Sequence, residues 1–543
     1  MADAPGEAPV GEAARAMGGE EPLRLLTQLV ATAPVNLEDP GHQRWEKPNY
    51  LRASDTIVRA ARAAGLATRI YDPLVAGDAG GNLRGINRPN VIIDLDVGAS
   101  ETVLILAHYD VVPVPAEQLA RWKSPPHSLT YRADHRLYGR GSNDDLGSGV
   151  VTSLTALRHL ADAKDLPRNV RLLVCCDEET GGQGGIEAIR EHDEPLAADD
   201  PERILRADVA LIPDGGPEVT AGSSGIAFLE GSFERPVPLA EALAYGRALV
   251  DLHEVARGWR SVYRSPDWPD RHAPEPVITG RASLTKFDVG EVLSDPDGVG
   301  LLAAHAETDA ANQIARAVTL VFGGPAPALD ALPAKLAGLV PAPFRLEIAG
   351  ATALSLAPGT RALQVVGTAA HGGYPHRGHN PVPVAIDLLR HAVDRRLIDG
   401  QAVGVTSFTV DLRLTPEMEL DTALSAAQGH VRAWIQSHSS LAVIEAPPER
   451  CRPGYALPVD DPAAQRLVRI LHETLGAKGV VGEYGGTDAS ALRGLRTPKG
   501  AALPALVFGS MDPTANIHDA EESLDPRLFA GVVTTIERFV REP

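Results

Sequence analysis

Residues 103–110 read VLILAHYD and residues 170–179 read VRLLVCCDEE: two short, nearly continuous apolar runs, each ending in charged or metal-binding side chains. Runs of this length suit strands buried on both faces. A third run, VALI at 209–212, ends in PDGG, and the helix-like segment Ser148 to Ala163 separates the first run from the second. Strand-like runs alternating with helix-length segments predict a mixed, mostly parallel sheet flanked by helices. Ligands collect beyond the carboxyl ends of the strands in such sheets. His108, Asp110, Asp177, Glu178, Glu179 and Asp214 are therefore the first residues to consider.

On the N-terminal side, Glu21 to Ala33 and Tyr50 to Ala64 have helix-like apolar spacing, and NVIIDLDV from Asn90 is strand-like. On the C-terminal side the pattern breaks between Phe233 and Pro343 into Pro-rich pieces with helical stretches between them. FRLEIAG, ALQVVGTAA and VGVTSFTVDLRL then surround a helix-like segment at 382–396, as a second, smaller α/β domain would. The first pattern returns at the end, with a helix at 462–475, strand-like ALVFGS from Ala505 and a helix at 526–540. The expected organisation is an α/β catalytic domain at 20–225 and 451–543, after a flexible start at 1–19. A lid domain is inserted at 226–450, elaborated near 234–343.

Composition narrows the function. At 543 residues, two or three folded units are expected. Hydrophobic residues at 44% and charged residues at 22% are those of a globular chain. The net charge of −20 repels phosphate backbones and anionic membranes, which argues against nucleic acid and membrane partners. Three cysteines, two of them the adjacent Cys175 and Cys176 inside an apolar run, give no disulfide framework. The first residues lack a basic and an apolar region, and no long apolar span occurs, so a cytoplasmic location is expected.

Each acidic or histidine-bearing segment has an ordinary explanation when taken alone. A histidine at a strand end, such as His108, is commonly structural; Asp144 and Asp145 in LYGRGSNDDLGSG suit a helix N-terminus. Asp177, Glu178 and Glu179 suit a solvated turn. Together with Asp214 and with His518, which follows ALVFGS in a polar loop, they make a set that a divalent cation explains better. Consecutive carboxylates at a buried strand end repel one another, and histidine plus carboxylate ligands suit zinc or a similar ion.

The segments HYDVVP, LYGRGSNDDLG, DEETGG, PDGG, GTAAHGGYPHRGHNP, GGTDAS and NIHDAEE occur in this order. The set resembles the aminoacylase, glutamate carboxypeptidase and dipeptidase family of co-catalytic metallopeptidases, over roughly residues 20–230 and 345–540. The resemblance implies two divalent ions, zinc with manganese or cobalt as alternatives. His108 and Asp214 would hold one, Glu179 and His518 the other, and Asp144 would bridge them. Asp110 would orient His108, and Glu178 would be the general base.

Asp144 lies five residues after Gly139, where the family's bridging acid falls; Asp145 is the fallback. Glu178 and Glu179 divide their roles by motif position only. His371, with Pro375, Gly378 and Asn380, matches the lid signature and would polarise the substrate carbonyl. Arg413 would bind a substrate carboxylate or form a lid salt bridge, and Gly485 to Thr487, with Gly486, would edge the site.

Two departures stand out. Leu146 replaces a basic residue common in relatives, at a position that is not a ligand. The stretch from Asp214 to His371 is long, as in dipeptidase-like members with an enlarged lid. The expected substrate is a dipeptide or small peptide cut next to a free carboxylate. The alternatives are deacylation of an N-acyl amino acid or another amide, or a non-hydrolytic metal-binding role. The assembly is expected to be a monomer or a homodimer, with the extra length favouring closure within one chain.

Overall fold

The structure, a computed structural model, describes residues 10–35, 49–77, 87–114, 116–163, 165–265, 276–293, 298–308, 313–349, 357 and 359–542. The chain forms two compact units. The first comprises Met1–Ala221, Leu457–Val481 and Thr487–Pro543, and the second Gly222–Ala456 and Gly482–Gly486.

The first unit is built on a mixed sheet. Its centre is four parallel strands in the order Asn169–Cys175, Thr102–His108, Val209–Ile212 and Ala505–Val507. Antiparallel strands extend both sides: Asn90–Leu95 and Ala67–Tyr71 on one, Val219–Ser223 on the other. The central strands are almost wholly buried, which is why they read as unbroken apolar runs. This is the expected α/β class. The helices Pro462–Leu475 and Pro526–Arg541 begin with the same device. Asp461 accepts the Ala463 N–H at 2.8 Å and Asp525 accepts the Arg527 N–H at 2.8 Å, each with proline in the first turn.

Residues 10–19, expected within a flexible start, depart from that reading. Val10–Ala16 is a helix, and Ala13, Ala14 and Met17 are buried. Small side chains hid an apolar face that packs closely; residues 1–9 lie outside the described residues.

The second unit has its own core on an antiparallel sheet. Its strand order is Arg345–Ile348, Thr360–Val366, Ala317–Gly323, Gly300–Glu307, Arg281–Leu293, Val403–Arg413, Ile226–Phe233 and Ala442–Glu445. Phe287 stacks on Phe408 with ring centres 5.5 Å apart, and Tyr245 meets Phe408 edge-on. The Pro-rich segment 234–343 supplies three central strands of this sheet. Several of its prolines sit at element ends, where they cost little: Val237–Pro238 is a short strand leading into the helix Leu239–Val250, and Pro325 precedes the helix Ala326–Ala337, although Pro333 lies inside that helix. The middle of RSPDWPDRHAPEPV lies outside the described residues.

Candidate active site

Four chain segments leave the carboxyl ends of the four parallel strands, and each delivers an acid or a histidine. His108 is the last residue of its strand. The Nδ1 side of its ring faces the Asp110 backbone carbonyl at 3.2 Å and the Asp110 carboxylate at 3.3 Å. A proton held on Nδ1 by these oxygens leaves the Nε2 lone pair free to act as a ligand. Nε2 looks towards Asp145 Oδ1 at 3.5 Å and Asp214 Oδ2 at 3.8 Å. The buried Asp110 carboxylate also accepts the N–H groups of Glu178 at 3.0 Å and Glu179 at 3.2 Å. One carboxylate thus fixes a histidine and the neighbouring strand's acidic turn.

That turn is tight. Asp177 adopts left-handed backbone geometry at φ 60°, which is costly for a residue with a Cβ. It is held by the Arg88 guanidinium and by the Tyr50 hydroxyl, which donates to it at 2.9 Å. Burial pushes the Asp177 carboxyl up to about 6, against the pull of Arg88. Asp144 and Asp145 open a helix whose first stretch, Asp144–Val151, is wound as a π-helix before α-geometry takes over at Thr152–Ala161. Glycine makes this winding possible: a Cβ on Gly147 would lie 1.9 Å from the Ser142 carbonyl oxygen. A Cβ on Gly149 would press on Ala107, in the His108 strand, at 3.2 Å.

His518, also left-handed at φ 63°, brings Nε2 to 2.8 Å from both Asp144 Oδ2 and Glu179 Oε1. One ring nitrogen cannot serve two acceptors through one proton, and Glu179 Oε1 has no hydrogen-bond partner despite its proximity. Asp145 Oδ1, Asp214 Oδ1 and Asp488 Oδ2 are likewise buried without a hydrogen bond. Buried acceptors left this way are expensive. Ligand atoms of Asp144, Asp145, Glu179 and His518 all lie within 4.8 Å of one another. This carboxylate and imidazole set fits divalent cations of the zinc type.

The titration behaviour tells the same story. Burial and the neighbouring Asp214 push Asp144 up to about 8; burial and Asp144 raise Asp145 well above the carboxylate range. Burial and Asp488 raise Glu178, and burial raises Asp488 itself to about 7. Burial is overcome at Asp214 by the bond to His108, which holds it near 2, and at Glu179 by His518, which lowers it. Both histidines are pulled upward by these acids against desolvation, which is only partial at His518 because its side chain is 45% exposed. So many acids in one buried volume cannot all ionise together, and bound cations remove that conflict.

His108, Asp110, Asp144, Glu178, Glu179, Asp214 and His518 are thus brought together in the first unit. Asp145 joins them beside Asp144. His371 belongs to the second unit, where its backbone pairs with Gln313. Nearby, Asn380 caps the helix Pro381–Asp394 and donates to the Leu284 carbonyl at 2.9 Å. Arg413 is buried and its Nε and Nη2 are taken by the Asp411 carboxylate at 2.7 and 2.9 Å, the salt bridge that the sequence left open as the alternative to substrate binding. Gly486 is exposed, and Thr487 precedes the short helix Asp488–Leu492.

Sequence reasoning passed over Asp488, Glu522 and Arg140. Asp488 directly follows the Gly-rich edge in GGTDAS, so its place in that motif was the available signal. Glu522 is buried against Arg140 at 2.8 Å and accepts the N–H groups of Gly141 at 3.0 Å and Asn143 at 3.2 Å. Nothing in AEES distinguishes it from its neighbour Glu521.

Fold and site together define an α/β protein with a histidine and carboxylate cluster suited to binding a divalent cation. Residues 104–542 match the profile of Peptidase family M20/M25/M40, and the chain belongs to that family. It is similar to an uncharacterized metallohydrolase of Methanocaldococcus jannaschii, 26% identical over 217 residues, which are 39% of this chain and 49% of that protein. It is also similar to a cysteinylglycine-S-conjugate dipeptidase of Corynebacterium striatum, 33% identical over 150 residues, 26% of this chain and 30% of that one. The aligned stretches thus span half or less of these relatives. Among solved structures, the dipeptidase Dug1p of Saccharomyces cerevisiae shares the fold, with a TM-score of 0.56 at 13% identity and 98% of both chains covered. Among the described residues no helix is long and apolar enough to cross a membrane.

Proposed function

We propose that this chain hydrolyses a peptide-type amide bond in a dipeptide or small peptide next to a free carboxylate. The observation that carries the reading is the convergence of His108, Asp144, Glu179, Asp214 and His518 on buried oxygens that lack hydrogen-bond donors, beside a second glutamate on the same turn. The dipeptidase names among its relatives support the substrate class.

In this reading His108 and Asp214 would hold one divalent ion, Glu179 and His518 would hold the other, and Asp144 would serve both. Zinc suits the donor set best, with manganese and cobalt as substitutes. Two such ions, when bound, supply Lewis acidity that activates water near neutral pH and polarises a carbonyl. Asp110 keeps the His108 ring turned and the 178–179 turn in place. Glu178 takes the proton of the attacking water and returns it to the leaving amine. The burial that raises its proton affinity works in the direction this shuttle needs. His371 donates to the carbonyl oxygen as it becomes an oxyanion, and the second unit must deliver it. Arg413 is assigned to its salt bridge with Asp411.

The test is a screen of zinc-, manganese- and cobalt-loaded protein against dipeptides, N-acyl amino acids and larger peptides, with Glu178→Ala alongside. Dipeptides are expected to be the best substrates. Glu178→Ala should lose at least about a hundredfold in kcat while retaining two ions per chain. Full activity in metal-free protein would sink the reading, and a preference for N-acyl amino acids would make the chain a deacylase.

A further inference from the structure

The loop that carries His518 is held in an unfavourable shape. Asn516, His518 and Glu521 all have positive φ, at 52°, 63° and 66°, and none is glycine. Such backbone persists only where its surroundings fix it. Much of that support comes from one stretch of chain, residues 118–132. Arg121 pairs with Asp519, the Lys123 N–H donates to Glu521 Oε1 at 2.7 Å, and Arg132 pairs with Glu521. Gln118 touches the His518 peptide itself: its Nε2 donates to the His518 carbonyl at 2.9 Å.

The other end of the Gln118 amide leads to the second ligand loop. Gln118 Oε1 accepts from Arg140 Nη2 at 2.8 Å, and Arg140 Nη1 donates to Glu522 at 2.8 Å. Glu522 in turn accepts the N–H groups of Gly141 and Asn143, the residues that lead into Asp144. An unbroken chain of hydrogen bonds therefore runs from the His518 peptide through Gln118, Arg140 and Glu522 to the Asp144 loop. Because Gln118 is bound at both ends, its amide orientation is fixed: the donor faces His518 and the acceptor faces Arg140.

We infer that Gln118 and Arg140 are positioning residues that set the His518 imidazole against Asp144 and Glu179, and so govern the affinity of the ion on that side of the centre. The inference rests on the two-ion reading above. Supporting groups that orient a ligand without touching the ion are commonly worth about 10- to 100-fold in metal affinity. The histidine of the other ion, His108, is oriented by Asp110 and not by this relay, which reaches that ion only through the shared Asp144, at its far end.

The experiment is a zinc titration of the full chain against a chromophoric chelator, resolving the two affinities in the unaltered protein, Gln118→Ala and Gln118→Glu. Circular dichroism monitors the fold, and the half-exposed position of Gln118 makes both variants tolerable. Gln118→Ala should weaken one ion by about 10- to 100-fold and the other far less, because Gln118 touches the His518 peptide directly and the shared Asp144 only through Arg140 and Glu522. Gln118→Glu keeps the acceptor for Arg140 but loses the donor to His518, and should weaken the same ion. Two unchanged affinities in both variants would overturn the inference. Equal weakening of both ions would do so as well, since it marks general loosening, and so would a normal Gln118→Glu, since it removes the link to His518. Fewer than two ions in the unaltered protein would instead count against the two-ion reading.

Discussion

Asp110, fully buried, and His127, half-buried, show how differently polar residues act within one unit. Asp110 gathers a histidine and two peptide N–H groups, whereas His127 lies beside Arg140, where burial, aided by that guanidinium, lowers its pKa from 6.5 to about 4. Its effect on stability has a definite sign. Above pH 6.5 the ring is neutral in both folded and unfolded chains, so its contribution is complete. As pH falls, the unfolded chain takes the proton first, and stability drains away between 6.5 and about 4. The full effect is about 3 kcal/mol. His127→Gln should flatten the fall of the urea midpoint between pH 7 and 4.5, and parallel pH profiles for the two proteins would refute this. At this scale the sequence was legible where motif and strand end coincide, as at His108 and Asp214. It was silent at Asp488, Glu522 and Gln118, because polar residues acquire their roles only when distant segments meet.

The π-wound stretch Asp144–Val151 depends on glycine as an element, not as a set of independent positions. A Cβ at Gly147 would meet the backbone oxygen of Ser142, which no side-chain rotation can relieve, so Gly147→Ala must separate the turn from the helix and carry Asp144 and Asp145 away. We expect a loss of about 2 kcal/mol or more in unfolding free energy, together with loss of bound metal. Gly486→Ala is the matched control, because a Cβ there has nothing within 4 Å. Thermal unfolding and metal analysis of the two variants decide the matter: equal midpoints would show that the glycine is dispensable. Helices were readable at this scale where chemistry marks their starts, as at Asp461-Pro462 and Asp525-Pro526. Segment 234–343 was not, because its prolines dominate the local pattern while its long strands are defined by partners far along the chain, such as Arg281–Leu293 against Val403–Arg413.

Across the whole molecule, the first unit is assembled from three stretches of chain, so its ligands run from His108 to His518 while His371 is carried by the second unit. The order of motifs along the chain hinted at this interruption, but no sequence pattern says whether the histidine serves its own metal centre or that of another copy. The proposed reaction makes the question answerable. If the imidazole stabilises charge that develops only as the carbonyl is attacked, His371→Ala should lower kcat by about a hundredfold or more and leave KM and metal content little changed. Glu178→Ala should be equally inactive for a different reason. Each inactive chain then retains what the other lacks. Mixed after reversible dissociation, the two variants restore activity only if one chain's His371 completes another chain's centre. We expect no recovery, because the long segment between Asp214 and His371 supplies several strands of the second unit's sheet, and extra structure of this kind in the same chain would stand in for a partner's surface. Activity approaching a quarter of the unaltered level in the mixture, which random pairing of two chain types in a dimer would allow, would instead assign His371 to the neighbouring subunit.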